Sequence, residues 1–191
     1  CSYFKNFFFF FGDLDMQSII KEINHMSNLI NEAQIENYVE NLSLLISSKT
    51  DIDIIGLAAG RMGYALRAFI MRLGHMGFNA YMIGDTNVPR VNERSIILIN
   101  SSSGETPSII QYAQQAKSEK GKIFLTSCAI DSTIGLLSDF SIKLPTIESK
   151  QLMKSPYEQF SMLLYDYIVI KLMSSLNLDP DKVSHNHSIL E

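Results

Sequence analysis

The pattern that most constrains the fold of this chain is the alternation of short apolar runs with segments of helical periodicity. The apolar runs lie at residues 52–57, 80–83, 95–100, 122–126 and 140–144, and each is typical of a strand buried on both faces. Between them, residues 61–76, 107–118 and 132–138 show helical spacing of apolar residues. Strands that alternate with helices favour a parallel sheet covered on both faces. The sequence therefore predicts an α/β fold, a three-layer αβα sandwich around a five-stranded parallel sheet.

Longer helical patterns flank these runs. Residues 16–46 predict two helices with a break near Asn31, and residues 155–176 predict one long helix with Ser155 as its cap and Pro156 at its first position. A polar tail, residues 177–191, follows. Because 46% of the residues are hydrophobic and only 19% are charged, the chain can bury a substantial core, and residues 16–191 are expected to form one domain.

The first residues differ from the rest in composition. Residues 7–11 are all phenylalanine, a run too short to cross a bilayer, and the segment lacks the basic region and cleavage site of a signal peptide. Helical periodicity begins only at Met16. We therefore expect residues 1–15 to be a non-native or disordered extension. The alternative is an apolar arm that docks on a partner subunit.

Charge and metal-binding side chains argue against several functions. The net charge is −4 and the cationic residues are scattered, which disfavours a nucleic-acid partner, and no apolar segment is long enough for a membrane partner. Cys1 and Cys128 are too few for a disulfide framework and suit a cytoplasmic protein. No histidine has cysteine or carboxylate neighbours at zinc spacing. We expect no metal and no cofactor.

A turn crowded with hydroxyl groups, Ser101-Ser102-Ser103-Gly104-Glu105-Thr106, follows the run at 95–100 and precedes a predicted helix. We call it the serine loop. The first N–H groups of a helix lack intrahelical partners and the dipole is positive there, so this position favours an anion such as phosphate. Thr106 suits the N-cap and Gly104 permits a close approach of the backbone to a ligand. The alternative is an ordinary turn, in which Ser, Gly and Thr are also common.

Two further turns are expected at the same edge of the sheet, because ligands of open parallel sheets bind outside the carboxyl ends of the strands. The glycine turn, residues 56–63, contains small residues, but its glycines are not in the G-x-G-x-x-G register and no acidic residue closes the second strand. A dinucleotide is therefore disfavoured. The third loop, residues 126–132, again begins with hydroxyl groups, those of Thr126 and Ser127. The three turns predict one pocket.

A set of motifs spread over residues 17–191 is matched by one known family. The motifs are Gly60-Arg61-x-Gly63, Met71-Arg72-Leu73-x-His75-Met76-Gly77-Phe78, Gly84-Asp85-Thr86, Pro89, the serine loop, Tyr157-Glu158-Gln159 and His187-x-x-Leu190-Glu191. They resemble the 6-phospho-3-hexuloisomerases of the sugar isomerase (SIS) domain superfamily. The serine loop carries the resemblance to SIS domains in general. The helix around His75 and the end of the chain are specific to the hexuloisomerases.

The resemblance implies an SIS-type fold with flavodoxin-like topology, a phosphorylated sugar as substrate and a homo-oligomer, either a tetramer or a dimer. The reaction it implies interconverts D-arabino-hex-3-ulose 6-phosphate and D-fructose 6-phosphate through a cis-enediol. The residues implied to bind the substrate and its phosphate are Arg61, Ser101, Ser103, Gly104, Thr106, Thr126 and Ser127. The chain departs from the family at Met62, where serine is usual, and at Ser102, where glycine is usual. Met62 is left out of the predicted site.

The resemblance places the catalytic base on Glu158. The spacing from Ser155 is also that of a capping box, in which the Glu158 side chain would only return to the Ser155 N–H. His75 is the second catalytic candidate, since imidazole titrates in the range needed to move protons between oxygens; the alternative is a packed or surface histidine. His187 lies in the polar tail and is either part of a mobile terminus or, as in the family, brought to the active site of a neighbouring subunit.

Two other functions remain open at the level of sequence. One is the isomerisation of another phosphosugar by a related SIS enzyme, although such enzymes often carry extra domains or zinc ligands that this chain lacks. The other is a non-catalytic sugar-phosphate sensor, since SIS domains also serve as effector-binding modules of transcription regulators. The helical segment that precedes residue 50 has no basic recognition face, which argues against a DNA-binding domain there. The departures at Met62 and Ser102 are the features that favour a sensor.

Overall fold

The computed structural model describes residues 14–48 and 51–187. Its sheet confirms the predicted architecture. The strands are β1 (Asp53–Ala58), β2 (Asn79–Met82), β3 (Ile96–Asn100), β4 (Lys122–Ser127) and β5 (Phe140–Lys143), all parallel and in the order β2-β1-β3-β4-β5. The expectation for residues 1–15 falls almost entirely outside the described residues.

Helices cover both faces of this sheet. They are α1 (Met16–Leu29), α2 (Glu32–Ser48), α3 (Arg61–His75), α4 (Pro107–Ser118), α5 (Thr133–Leu137), α6 (Ser155–Ser175) and α7 (Pro180–His185). Because side chains alternate along a strand, β3 contributes Ile96 and Leu98 to one core and Ile97 and Ile99 to the other. The first core lies under α1, α2, α3 and α6, and the second lies under α4 and α5.

The central strand is buried along its whole length, as the continuous apolar run predicts. β1 and β4 flank it, and each of these three strands runs directly into a turn at the carboxyl edge of the sheet. The glycine turn, the serine loop and the third loop therefore lie side by side at one edge. Within the described residues, no helix is long and apolar enough to cross a membrane.

One detail of the sequence prediction is wrong, and one helix was not predicted. The polar tail contains α7, whose N-cap Asp179 accepts a hydrogen bond from the Asp181 N–H. An Asp-Pro pair at 179–180 is the signal that could have indicated this helix. In α6, Ser155 is the first helical residue rather than the cap, and Lys154 occupies the cap position. The reason is that the Ser155 hydroxyl donates to the Leu152 carbonyl instead of capping the helix.

Candidate active site

The serine loop is held in shape by its own polar groups. The Ser101 N–H donates to the Thr126 carbonyl at the end of β4 (3.1 Å), and the Ser101 hydroxyl accepts from the Gly104 N–H (3.2 Å). Ser101 is buried, whereas Ser103 is exposed and its hydroxyl accepts from the Glu105 N–H (3.2 Å). Ser101 therefore has an internal role in the loop, and Ser103 faces solvent, where a ligand can reach it.

Gly104 is required by the path of the loop. Its φ of 64° lies in the left-handed region, which L side chains rarely adopt. A Cβ at this position would also lie 2.6 Å from the Cβ of Ser132, closer than real Cβ contacts come. The Ser132 hydroxyl accepts from the Gly135 N–H and so caps α5. The glycine thus lets the serine loop pack directly on the third loop.

The start of α4 presents donors for an anion. Thr106 occupies the N-cap position, as predicted, but its side chain makes no hydrogen bond to the helix. The first N–H groups of the helix lack intrahelical partners by geometry, and Pro107 has no N–H to satisfy. The hydroxyl of Thr106 and the N–H groups that follow Pro107 are therefore available to a phosphate group.

The two hydroxyl residues predicted in the third loop are engaged inside the protein. The Ser127 hydroxyl donates to the Ser102 carbonyl or the Ala129 carbonyl, each at 3.2 Å, and accepts from the Ala129 N–H at 3.0 Å. Thr126 is fully buried, with its hydroxyl beside the phenol groups of Tyr38 and Tyr165 but in no aligned hydrogen bond. Both side chains join the loops to the core, and neither faces the exposed side of the serine loop.

Arg61 and Glu158 meet at the mouth of the glycine turn. Arg61 is the first residue of α3 and its Nη1 lies 3.2 Å from Glu158 Oε2 and 3.3 Å from the Ser155 hydroxyl. The Arg61 side chain is 64% exposed, whereas that of Glu158 is 13% exposed. Glu158 Oε2 is buried and accepts no aligned hydrogen bond, so this contact is an ion pair. A carboxylate oxygen that accepts no hydrogen bond thus lies behind an exposed cation.

In the structure, the Glu158 side chain does not form a capping box with Ser155. The Ser155 N–H, which that motif would join to the Glu158 side chain, donates to the Leu152 carbonyl at 3.2 Å. The Glu158 carboxylate instead faces Arg61, across from the start of α3. The carboxylate is therefore free of the structural role that its spacing also permitted. Ser155 also contacts Arg61, and the sequence analysis did not predict this contact.

The two departures from the family pattern touch each other. The Met62 sulfur lies 3.5 Å from the Ser102 N–H, as a weak acceptor, and the Ser102 hydroxyl lies 3.7 Å from the sulfur of Cys128. Met62 therefore covers an amide at the start of the serine loop. The larger side chain at 62 and the added hydroxyl at 102 belong to one packed cluster that bridges the glycine turn and the third loop.

The two predicted catalytic histidines lie away from Arg61. His75 ends α3, which begins at Arg61, so an α-helical rise puts the two residues about 21 Å apart. The His187 ring lies 5.0 Å from the His75 ring, and the Asn186 side chain donates to the His75 carbonyl at 2.9 Å. The structure thus joins His75 to His187 but brings neither to Glu158 within one chain.

Across residues 14–48 and 51–187, no three side chains of His, Cys, Asp or Glu come together as a metal site. The polar groups at the carboxyl edge include hydroxyls, helix N–H groups, the Arg61–Glu158 pair and the Glu105 carboxylate, which accepts from the Thr133 N–H at 2.7 Å. Neutral donors at a helix N-terminus bind a phosphate group, and a nearby carboxylate can take up a proton.

Two named relatives are similar to this chain over most of its length. The 3-hexulose-6-phosphate isomerase of Bacillus subtilis (strain 168) is 32% identical over 182 residues, which cover 91% of this chain and 95% of the relative. The 3-hexulose-6-phosphate isomerase of Methanocaldococcus jannaschii is 31% identical over 153 residues, or 80% of this chain and 83% of the relative. No family model matches the chain.

A solved structure agrees with these relatives. It is the crystal structure of a Methanococcus jannaschii protein for which the function of a 3-hexulose-6-phosphate isomerase was inferred. It superposes with a TM-score of 0.79 at 27% identity, over 92% of this chain and 98% of that one. The comparison confirms the predicted fold, and the two sequence relatives confirm the predicted resemblance.

Proposed function

Because this chain belongs to the 3-hexulose-6-phosphate isomerase family, we propose that it interconverts D-arabino-hex-3-ulose 6-phosphate and D-fructose 6-phosphate through a cis-enediol. The observation that carries the assignment of its active site is the position of Glu158. This carboxylate lies beside Arg61, at the same sheet edge as the serine loop, and does not cap its own helix.

The reaction needs a group that binds phosphate and a group that moves a proton. We assign the phosphate to the exposed side of the serine loop, where Ser103, Thr106 and the first N–H groups of α4 supply neutral donors. The dipole of α4 adds favourable charge at that point. Ser101, Gly104, Thr126 and Ser127 support this loop through backbone contacts and packing.

Glu158 is assigned as the base. It takes the proton from C2 of the hexulose, so that the electrons of the C2–H bond form the C2=C3 bond of the cis-enediol, and it returns the proton to C3, where those electrons form the C3–H bond. The C3 oxygen gains a proton and the C2 hydroxyl loses one, so the carbonyl moves from C3 to C2 with no net change in protons. The carboxylate is regenerated in each turnover. Arg61 is assigned to the oxygens of the substrate, because a planar guanidinium with several donors can bind an enediolate oxygen or a phosphate while staying next to Glu158.

His75 and His187 can reach such a site only from a second copy of the chain. Apolar side chains at the surface of α1 and α6 support a homo-oligomer, among them Ile20 (51% exposed), Leu163 (52% exposed) and Ile170 (64% exposed). Ile20 and Leu163 line a groove formed by α1, α2 and α6, and Ile170 lines a second groove where α6 meets α7. We therefore keep both histidines as candidates that act across a subunit interface.

The test is a coupled assay in which the wild-type protein receives 3-hexulose 6-phosphate and the formation of fructose 6-phosphate is measured. Turnover supports the proposal. Tight binding without turnover would contradict it and favour a sugar-phosphate sensor, in which Met62 and Ser102 mark a lost activity.

Replacement of the hydroxyls of the exposed Ser103 and the half-buried Thr106 should weaken substrate binding. For Ser103→Ala/Thr106→Ala we expect the Kd of fructose 6-phosphate to rise about 30-fold, because two hydrogen bonds to the phosphate are lost at roughly 1 kcal/mol each. Isothermal titration measures this directly. Ser118→Ala is the matched control, since its hydroxyl lies at the other end of α4 and donates to the Gln115 carbonyl. An unchanged Kd in the double variant would exclude this loop as the phosphate site.

A further inference from the structure

A buried polar cluster lies directly beneath the candidate active site. Its centre is Asn100, the last residue of β3, which is fully buried and immediately precedes the serine loop. The Asn100 Nδ2 donates to the Met62 carbonyl in the first turn of α3 (3.1 Å) and lies 3.4 Å from the Ser161 hydroxyl of α6. A polar side chain at the end of an otherwise apolar strand therefore joins two helices.

The other side of this amide is occupied by Tyr157. The Tyr157 hydroxyl lies 2.6 Å from Asn100 Oδ1 and 2.8 Å from the Thr126 carbonyl oxygen. Both partners are acceptors, so the single phenolic proton is held between them. Burial raises the pKa of Tyr157 well above its usual value, which keeps the proton on the hydroxyl at neutral pH. Tyr157 is thus a permanent donor to the ends of β3 and β4.

The residues that this cluster holds are the immediate neighbours of the proposed reactive groups. Met62 follows Arg61, Tyr157 precedes Glu158, and Asn100 precedes the serine loop. From these contacts we propose that Asn100 and Tyr157 are positioning residues, which fix Glu158 and Arg61 at a set distance from the phosphate-binding loop. This inference rests on the proposed function, because it concerns the same site.

The physical reason is the sensitivity of proton transfer to geometry. Loss of the Tyr157 hydroxyl would leave the buried Asn100 Oδ1 without this donor, while the Thr126 carbonyl would keep only the Ser101 N–H. The start of α6 is then free to shift relative to β3. Misplacement of a reacting group by about 1 Å can cost on the order of 100-fold in rate, whereas phosphate contacts to the α4 N-terminus are unaffected.

The chain contains a matched control on the same helix. Tyr165 is also fully buried in α6, but its hydroxyl has no aligned hydrogen bond among the described residues. Tyr157→Phe and Tyr165→Phe therefore remove the same atom from the same kind of environment. Only the first removes a link to Asn100.

The experiment compares kcat and KM for fructose 6-phosphate formation in the wild-type protein and both variants, together with thermal unfolding. We expect Tyr157→Phe to lower kcat about 10- to 100-fold with less than about a threefold change in KM, and Tyr165→Phe to stay within about twofold of wild type. A Tyr157→Phe protein that melts earlier but keeps the kcat of Tyr165→Phe would overturn the inference, because the hydroxyl would then be structural only.

A second variant covers the case in which Tyr157→Phe fails to fold. Ser161→Ala removes the weaker contact of Asn100, together with the hydrogen bond that the Ser161 hydroxyl donates to the Glu158 carbonyl (3.0 Å), and should lower kcat in the same direction by about threefold, with KM again unchanged. A Ser161→Ala enzyme with the wild-type kcat would then count against the inference. Inactivity of the wild-type and Tyr165→Phe proteins alike would instead overturn the proposed function itself.

Discussion

Glu158→Gln should lower kcat for the interconversion of 3-hexulose 6-phosphate and fructose 6-phosphate by about 1,000-fold, within the range that a positioned acid–base group contributes. An amide has nearly the shape of a carboxylate but does not accept a proton from carbon at neutral pH. The Arg61 side chain that would lose its partner is 64% exposed, so water can solvate it and the fold should survive.

Substrate affinity separates loss of the base from loss of the site. The Glu158→Gln protein should still be stabilised against heat by fructose 6-phosphate, because the proposed phosphate contacts lie in the serine loop and α4. Glu119→Gln serves as the control, since Glu119 lies beyond the other end of α4 and pairs with Arg90. If Glu158→Gln turned over substrate as fast as Glu119→Gln, another residue would have to be the base.

Arg61→Ala should lower kcat/KM by about 100-fold, equivalent to about 2.7 kcal/mol of transition-state stabilisation. The guanidinium touches both the Glu158 carboxylate and the Ser155 hydroxyl, so its removal takes away a cation for substrate oxygens and a contact that orients the base. Arg61→Lys should recover only part of this loss, since an ammonium group keeps the charge but lacks the planar set of donors that a guanidinium offers to substrate oxygens.

The control for Arg61 lies six residues further along α3, at Arg67. Arg67 is also about half exposed and forms a comparable ion pair with Asp85 at 3.0 Å. Arg67→Ala removes the same charge from the same helix, and should leave kcat/KM within about twofold of wild type, because exposed ion pairs contribute little to stability. Steady-state kinetics on both variants test the assignment. Equal losses in the two would show that net charge, rather than the position of Arg61, is responsible.

Much of the candidate site could be predicted because local chemistry determines it. The serine loop combines a strand end, hydroxyl side chains, glycine and a helix start, and each of these can be recognised in the sequence. The distance of His75 from Arg61 within one chain was also implied, since both belong to one predicted helix with a fixed rise per residue. The titration range of imidazole made His75 a catalytic candidate, and its distance from Arg61 means that such a role needs a second chain.

Which hydroxyl groups are exposed and which form hydrogen bonds inside the protein could not be predicted in this way. Ser103 and Ser127 both sit in hydroxyl-rich turns, yet one is exposed and the other donates inside the protein. Thr126 points to the face of the sheet that packs under α3 and α6, because it follows Phe124 by two residues in a strand. Which face holds the ligand depends on how the helices cover the sheet, and that is a tertiary property.

The sequence by itself determined the layer architecture, since continuous apolar runs indicate strands buried on both faces and a period of 3.6 indicates helices. It also determined that hydroxyl groups and a helix N-terminus meet at the end of β3. Only the tertiary structure decided that Glu158 faces Arg61 rather than its own helix cap, and that Asn100 meets Tyr157. These contacts join residues more than fifty positions apart, and their partners depend on packing between elements, which no local pattern encodes.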